Sequence, residues 1–128
     1  MNDLEPSNSI KSKKLMEILD DIKQEGDLKG VLYSYRDGQL IKENFEEVFD
    51  IDLCSSMCAS ISESAQGLAK NLNEKRVPKI IAELENQSII IFECDEKTFL
   101  TLFLKRESKV SPILENIENY IRKIIFLY

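Results

Sequence analysis

The sequence predicts one small α/β (α+β) domain in which helices cover both faces of a sheet. Three observations predict it. Periodic segments run in the order αββαβββα. Two of the strands are apolar on both alternating faces, which requires layers above and below them. The chain has 128 residues, of which 43% are hydrophobic and 31% charged, the mix of an ordinary globule. That length fits a single domain, expected over 10–128, able to bury roughly two-thirds of its unfolded surface.

Residues 1–9 contain Pro6 and lack periodicity, so they read as a flexible tail. Ser12 is the expected N-cap of a first helix. Leu15, Ile18, Leu19 and Ile22 follow at i, i+3, i+4, i+7, and Gly26 stands where a helix C′ glycine belongs. Gly30 to Tyr35 is a β-branched and aromatic strand. Asp37-Gly38 after it signals a type I′ hairpin turn into a second strand, begun by Leu40 and Ile41, that fades in the acidic stretch 42–47.

Asp50 or Asp52 caps a second, long helix reaching about Leu72. Pro78 breaks the chain. A meander follows over about 79–84, 88–94 and 98–105. In its last two strands Ile89 and Ile91 oppose Ile90, Phe92 and Cys94, while Phe99 and Phe103 oppose Leu100, Leu102 and Leu104. Ser111-Pro112 opens a final helix with Ile113, Leu114, Ile117, Tyr120, Ile121, Ile124 and Ile125 on one stripe.

Composition excludes several functions. The net charge is −6, and the only dense basic cluster is Lys11, Lys13 and Lys14, so no footprint for nucleic acid is present. No apolar run approaches the roughly 20 residues of a membrane span. The polar, acidic start carries no signal-peptide core, which makes a cytoplasmic protein the expectation.

Histidine is absent and the four glycines are isolated, so the commonest general base and a phosphate loop are both missing. The acidic pairs Asp20-Asp21 and Glu46-Glu47 read as solvated surface. Cys54, Cys58 and Cys94 read as small core residues, not as metal ligands or a disulfide frame. The sequence therefore predicts no catalytic residues, no cofactor and no metal, and a protein that is not an enzyme.

The second helix is the informative element. From Cys54 to Lys70, eleven of seventeen residues are small, and Gly67 alone costs roughly 1 kcal/mol against alanine. At about 100° per residue, Leu53, Met57, Leu68, Ile61, Cys54, Leu72, Ala65, Cys58 and Ala69 fill an arc of about 160°, against the roughly 100° a surface helix needs. The excess predicts packing on its own sheet and also against a second body. Covering loops, or an unusually deep seat on the sheet, are the alternative. The strand at 79–84 follows this helix and is largely apolar, with Pro78 before it and Glu83 its only internal charge. At a sheet edge it invites pairing with another strand, and a symmetric dimer joins two such edges.

In its element order, its Leu15-Ile18-Leu19, Gly30-Val31-Leu32 and Asp37-Gly38 marks, its small-residue helix, its Ile80-Ile81-Ala82-Glu83 strand and its last amphipathic helix, the chain resembles the Roadblock family of dynein light chain type. The resemblance covers about Ser12 to Ile125. It implies a five-stranded antiparallel sheet in a Roadblock/profilin-like fold, and a homodimer through the second helix and third strand. Leu53, Met57, Ser60, Ile61, Ser64, Gly67, Ile80 and Ala82 correspond to dimer-interface positions. The implied function is non-catalytic: binding and regulating, or scaffolding, a Ras-like small GTPase. A structural adaptor or motor light-chain-type subunit, indifferent to nucleotide, is the alternative. Two features depart from the family pattern. The loop after the second helix reads Asn73-Glu74-Lys75-Arg76 where many members have glycine, and the helix is rich in serine and cysteine where alanine is usual.

Overall fold

A computed structural model describes residues 4–46 and 50–127, with side chains from Ser9 onward. The elements are α1 (Leu4–Gly26), β1 (Gly30–Tyr35), β2 (Leu40–Phe45), α2 (Ile51–Asn71), β3 (Lys79–Glu83), β4 (Ser88–Glu93), β5 (Thr98–Leu104) and α3 (Val110–Leu127). This is the αββαβββα order read from the sequence. The strands form one antiparallel sheet in the order β2-β1-β5-β4-β3, so β2 and β3 are its edges.

The two-sided strands sort as their alternation requires. Val31, Tyr33, Ile90, Phe92, Leu100, Leu102 and Leu104 lie beneath Leu15, Leu19 and Ile22 of α1 and Ile113, Ile117 and Ile124 of α3. Leu32, Ile91, Phe99 and Phe103 point the other way, beneath Cys58 and Ala59 of α2. The second layer is closed at its rim by an edge-to-face pair of Phe45 and Phe103, 4.8 Å between ring centroids.

Five local readings change. Helix α1 begins at Leu4, not at Ser12, so of the expected tail residues 4–9 are helical and 1–3 lie outside the described residues. Pro6 is tolerated because first-turn N–H groups have no intrahelical partner in any case. At the other end, Asp27, not Gly26, takes the left-handed position, with φ 50°. Leu28 N–H donates to Lys23 O and Asp27 N–H to Gln24 O, a Schellman cap. Gly26 answers a different need: a Cβ there would meet Ile113 Cγ1 of α3 at 2.7 Å.

The hairpin forms, but not with a type I′ turn. Within the loop only Gly38 has positive φ, at 98°. Its N–H donates to Tyr35 O, and Tyr35 N–H to Gln39 O, which makes a three-residue loop closed by a left-handed glycine. Strand β2 also continues through the polar residues Lys42, Glu43 and Asn44 to Phe45. Finally, α3 starts at Val110, which puts Ser111 inside its first turn and not at the cap; Pro112 again costs no hydrogen bond there.

Candidate interaction surface

Helix α2 is held at both ends by its own sequence. Asp50 caps it, Oδ1 accepting from Leu53 N–H at 3.0 Å. At the far end Asn73 adopts φ 64°, Glu74 N–H donates to Ala69 O, and Asn73 N–H to Lys70 O. Asparagine thus supplies the left-handed residue for which glycine was the family expectation, because its short polar side chain tolerates that region better than most.

The helix sits on the sheet through its small residues. Ser55, Cys58, Ala59 and Ser62 are buried at helical spacing. Ser55 Oγ donates to Gly38 O at 2.8 Å and lies 2.7 Å from Ser34 Oγ. A serine has one hydroxyl proton, and that of Ser55 goes to the carbonyl. Ser34 is therefore the donor between the two hydroxyls. Beneath Cys58 the fully buried Thr101 hydroxyl faces the thiol and has no regular hydrogen bond among the described residues.

With the small face inward, the large apolar residues are turned outward. Leu53, Met57, Ile61, Leu68 and Leu72 are exposed, from 40% for Ile61 to 62% for Leu72. Ser60, Ser64 and Gly67 are exposed as well, and a Cβ on Gly67 would meet nothing within 4 Å. The wide apolar arc of α2 therefore divides. Cys54, Ala65 and Ala69 are half-buried at its margin, Cys58 is covered, and the five large side chains are not.

The third strand meets the same situation from the side. Among the described residues β3 is paired with β4 alone. Ile80, half-buried, packs under the α2 layer with Ile89, and Ala82 is half-buried on the same face. Lys79, Ile81 and Glu83 alternate outward and are exposed. The opposite edge is guarded. β2 carries Lys42, Glu43 and Asn44, and α1 reaches over it: Lys42 Nζ bonds Ser12 Oγ, Asn44 Nδ2 donates to Asp20 Oδ1 at 3.3 Å, and Lys23 pairs with Glu46 at 3.0 Å. Two of the acids considered as chemical groups, Asp20 and Glu46, are thus spent on that edge; Glu47 lies outside the described residues.

The three cysteines are not gathered at one site: Cys54 and Cys58 are neighbours one turn apart, and Cys94 stands away from them. Cys54 and Cys58 lie on the α2 side of the sheet, and Cys94 is in the core on the other side. Burial pushes the Cys58 thiol up to about 12, the neighbouring Cys54 adding to it. Burial likewise lifts Cys94 to about 12, with Asp95 beside it, and raises Cys54. Such thiols stay protonated at neutral pH, the opposite of what a thiolate ligand or nucleophile needs. No cluster of three or more His, Cys, Asp or Glu placed to hold a metal occurs among the described residues. The four arginines are each bonded within the chain: Arg36 to Glu96 O, Arg76 to Glu93, Arg106 to Asn86, and Arg122 to Asn119. No helix among the described residues is long and apolar enough to cross a membrane.

A five-stranded antiparallel sheet with two helices on one face, and on the other a single helix that leaves its large apolar side uncovered, defines a small α+β domain. The chain belongs to the Roadblock/LC7 domain family, whose pattern residues 14–103 match. No curated protein sequence matches it. Solved structures carry the same fold. "MglB with tetrameric arrangement" superposes with a TM-score of 0.84 at 17% identity, covering 91% of this chain and 89% of that one. Myxococcus xanthus MglB gives 0.82 at 20% identity, covering 88% and 94%. A Roadblock/LC7 domain from Streptomyces avermitilis gives 0.77 at 10%, covering 85% and 92%.

Proposed function

We propose that this chain is a non-catalytic, dimeric interaction module that binds a Ras-like small GTPase and regulates or scaffolds it. The observation that carries the proposal is the row Leu53, Met57, Ile61, Leu68 and Leu72, exposed on a helix tied down by its small face, together with the unpaired edge of β3. Apolar patches of this kind on soluble domains mark sites of association. Leu53, Met57, Ser60, Ile61, Ser64 and Gly67 of α2, with Ile80 and Ala82 of β3, form the dimer surface in this reading. The GTPase rests on family membership. Binding, not an arginine finger, is the mode of action in this reading; each of the four arginines has a surface hydrogen-bond partner in its own chain.

Mass measurement in solution tests the first half. The chain should be a dimer at micromolar concentration. Met57→Glu, an exposed position, should give a folded monomer. A monomeric parent chain sinks the module. Retention by GTP- or GDP-loaded Ras-like GTPases from the same cell tests the second half. Preference for one nucleotide state supports regulation, whereas equal recovery or none favours a nucleotide-indifferent adaptor.

A further inference from the structure

The free edge of β3 has an internal symmetry. Its residues are Lys79-Ile80-Ile81-Ala82-Glu83, with an isoleucine at the centre and opposite charges two places to either side. We infer that β3 pairs antiparallel with β3 of a second copy in one register, centred on Ile81, with Lys79 opposite Glu83 of the other copy twice over. This rests on the dimeric reading above and adds to it the alignment and the reason for self-recognition.

The backbone sets the terms. Toward β4, Leu84 N–H donates to Gln87 O and Glu93 N–H to Pro78 O. With the pairing Ile80↔Ile91 and Ala82↔Ile89, the even-numbered residues of β3 therefore bond inward. Lys79, Ile81 and Glu83 consequently aim their N–H and C=O groups at the open edge. Pro78 is an even position, so its missing N–H faces β4 and leaves the edge donors intact.

Side chains then choose among registers. Residues directly opposite in a sheet share a face, so a slip of one residue would set outward-facing side chains against inward-facing ones. Among the remaining alignments, centring on Ile80 puts Lys79 against Ile81 twice. Centring on Ala82 puts Ile81 against Glu83 twice. Centring on Lys79 or on Glu83 opposes like charges. Only Ile81 at the axis pairs Ile81 with itself, Ile80 with Ala82, and each charge with its opposite. Among the described residues neither Lys79 nor Glu83 has an ion-pair partner within its own chain. Charges at the ends of an edge strand often serve to repel pairing. Here their opposite signs and equal spacing make them complementary to a second copy.

The test is charge reversal read by sedimentation equilibrium at low salt. Lys79→Glu alone and Glu83→Lys alone should each weaken self-association about tenfold, since each turns two attractive cross-strand pairs into repulsive ones. The double variant K79E/E83K should recover dimerisation. An equimolar mixture of the two single variants should form a heterodimer tighter than either homodimer. Both variants lie on an exposed strand face, and circular dichroism checks their folding. A dimer whose affinity is unmoved by the single reversals, or not rescued in the mixture, overturns the register and leaves the dimeric reading standing. A monomeric parent chain overturns both.

Discussion

Replacing Ser55 by alanine isolates what holds α2 against the sheet. Ser55 and Ser34 are completely buried, and the Ser55 hydroxyl is the hub of a short chain running from Ser34 Oγ to Ser55 Oγ to Gly38 O. Alanine removes two hydrogen bonds, worth roughly 1 kcal/mol each. It also orphans a hydroxyl and a carbonyl in a buried interface, and the desolvation left uncompensated brings the loss to roughly 2–4 kcal/mol. With a urea slope of about 2 kcal/mol/M, the unfolding midpoint should fall by about 1–2 M with the slope unchanged. Chain concentration must be held fixed, because the proposed self-association would add its own concentration-dependent stability. Ser34→Ala should cost less, as it leaves the Ser55–Gly38 bond in place. In the Ser34→Ala/Ser55→Ala double variant no hydroxyl is orphaned, so its loss should be smaller than the sum of the two singles. A midpoint shift below about 0.3 M for Ser55→Ala, or strict additivity in the cycle, would refute the idea that these hydroxyls seat the helix.

Gly38→Ala should destabilise by about 1–3 kcal/mol in thermal unfolding, because φ is 98° and the added Cβ would lie 3.0 Å from the Ser56 backbone of α2. An unchanged melting temperature would show that the hairpin loop yields freely. The thiols give a labelling order: at pH 8 a disulfide reagent should react with half-exposed Cys54 first and reach Cys58 and Cys94 only on unfolding. Equal native rates for all three would contradict their burial. The buried thiols also set a pH dependence. Their protons leave the unfolded chain near the ordinary value of 9.0 but the folded chain only at about 12. Their contribution is therefore complete below pH 9 and is lost as pH rises from 9 toward 12. The stability difference between the parent and Cys94→Ala should narrow across that window in urea titrations, and a constant difference would argue against it.

Much of the fold was legible because it rests on period and composition. The opposed sets Ile89/Ile91 and Ile90/Phe92/Cys94 landed in separate layers, since alternation on a strand is a geometric necessity. The outward side of α2 was legible as an excess of apolar arc. Its orientation was not legible from the wheel and was implied only by the family resemblance. A wheel weights residues by hydrophobicity and would centre the sheet contact near Leu53, Met57 and Ile61. The seat instead lies at Ser55, Cys58, Ala59 and Ser62, chosen by close approach and by hydroxyl partners on Ser34 and Gly38 that are far away in sequence. Thr101 was missed for the same reason: nothing local marks it as the residue beneath Cys58. Turn details failed where two residues compete for one role. Asp27 took the left-handed position that Gly26 was expected to fill, and packing against Ile113 is what Gly26 serves.

The inverted seating of α2 is itself an argument about association. Burying Leu53, Met57, Ile61, Leu68 and Leu72 against the chain's own sheet would bring far more hydrophobic stabilisation than burying serines, at roughly 25 cal/mol per Å² of apolar area. A helix selected only for the stability of an isolated subunit would be turned the other way. The small face instead lets the helix lie close to the sheet at a modest net gain per hydrogen bond. In the proposed dimer the larger hydrophobic contribution is realised when the second surface covers this outward row. The free β3 edge follows the same logic, since its outward N–H and C=O groups gain a protein partner only on pairing. The segment from α2 to β3 thus holds two unfulfilled interactions of different chemistry, one apolar and tolerant of alignment, the other hydrogen-bonded and strict in register. Apolar burial is suited to supply the affinity, and the strand, with Lys79 and Glu83 about Ile81, to supply the choice of partner.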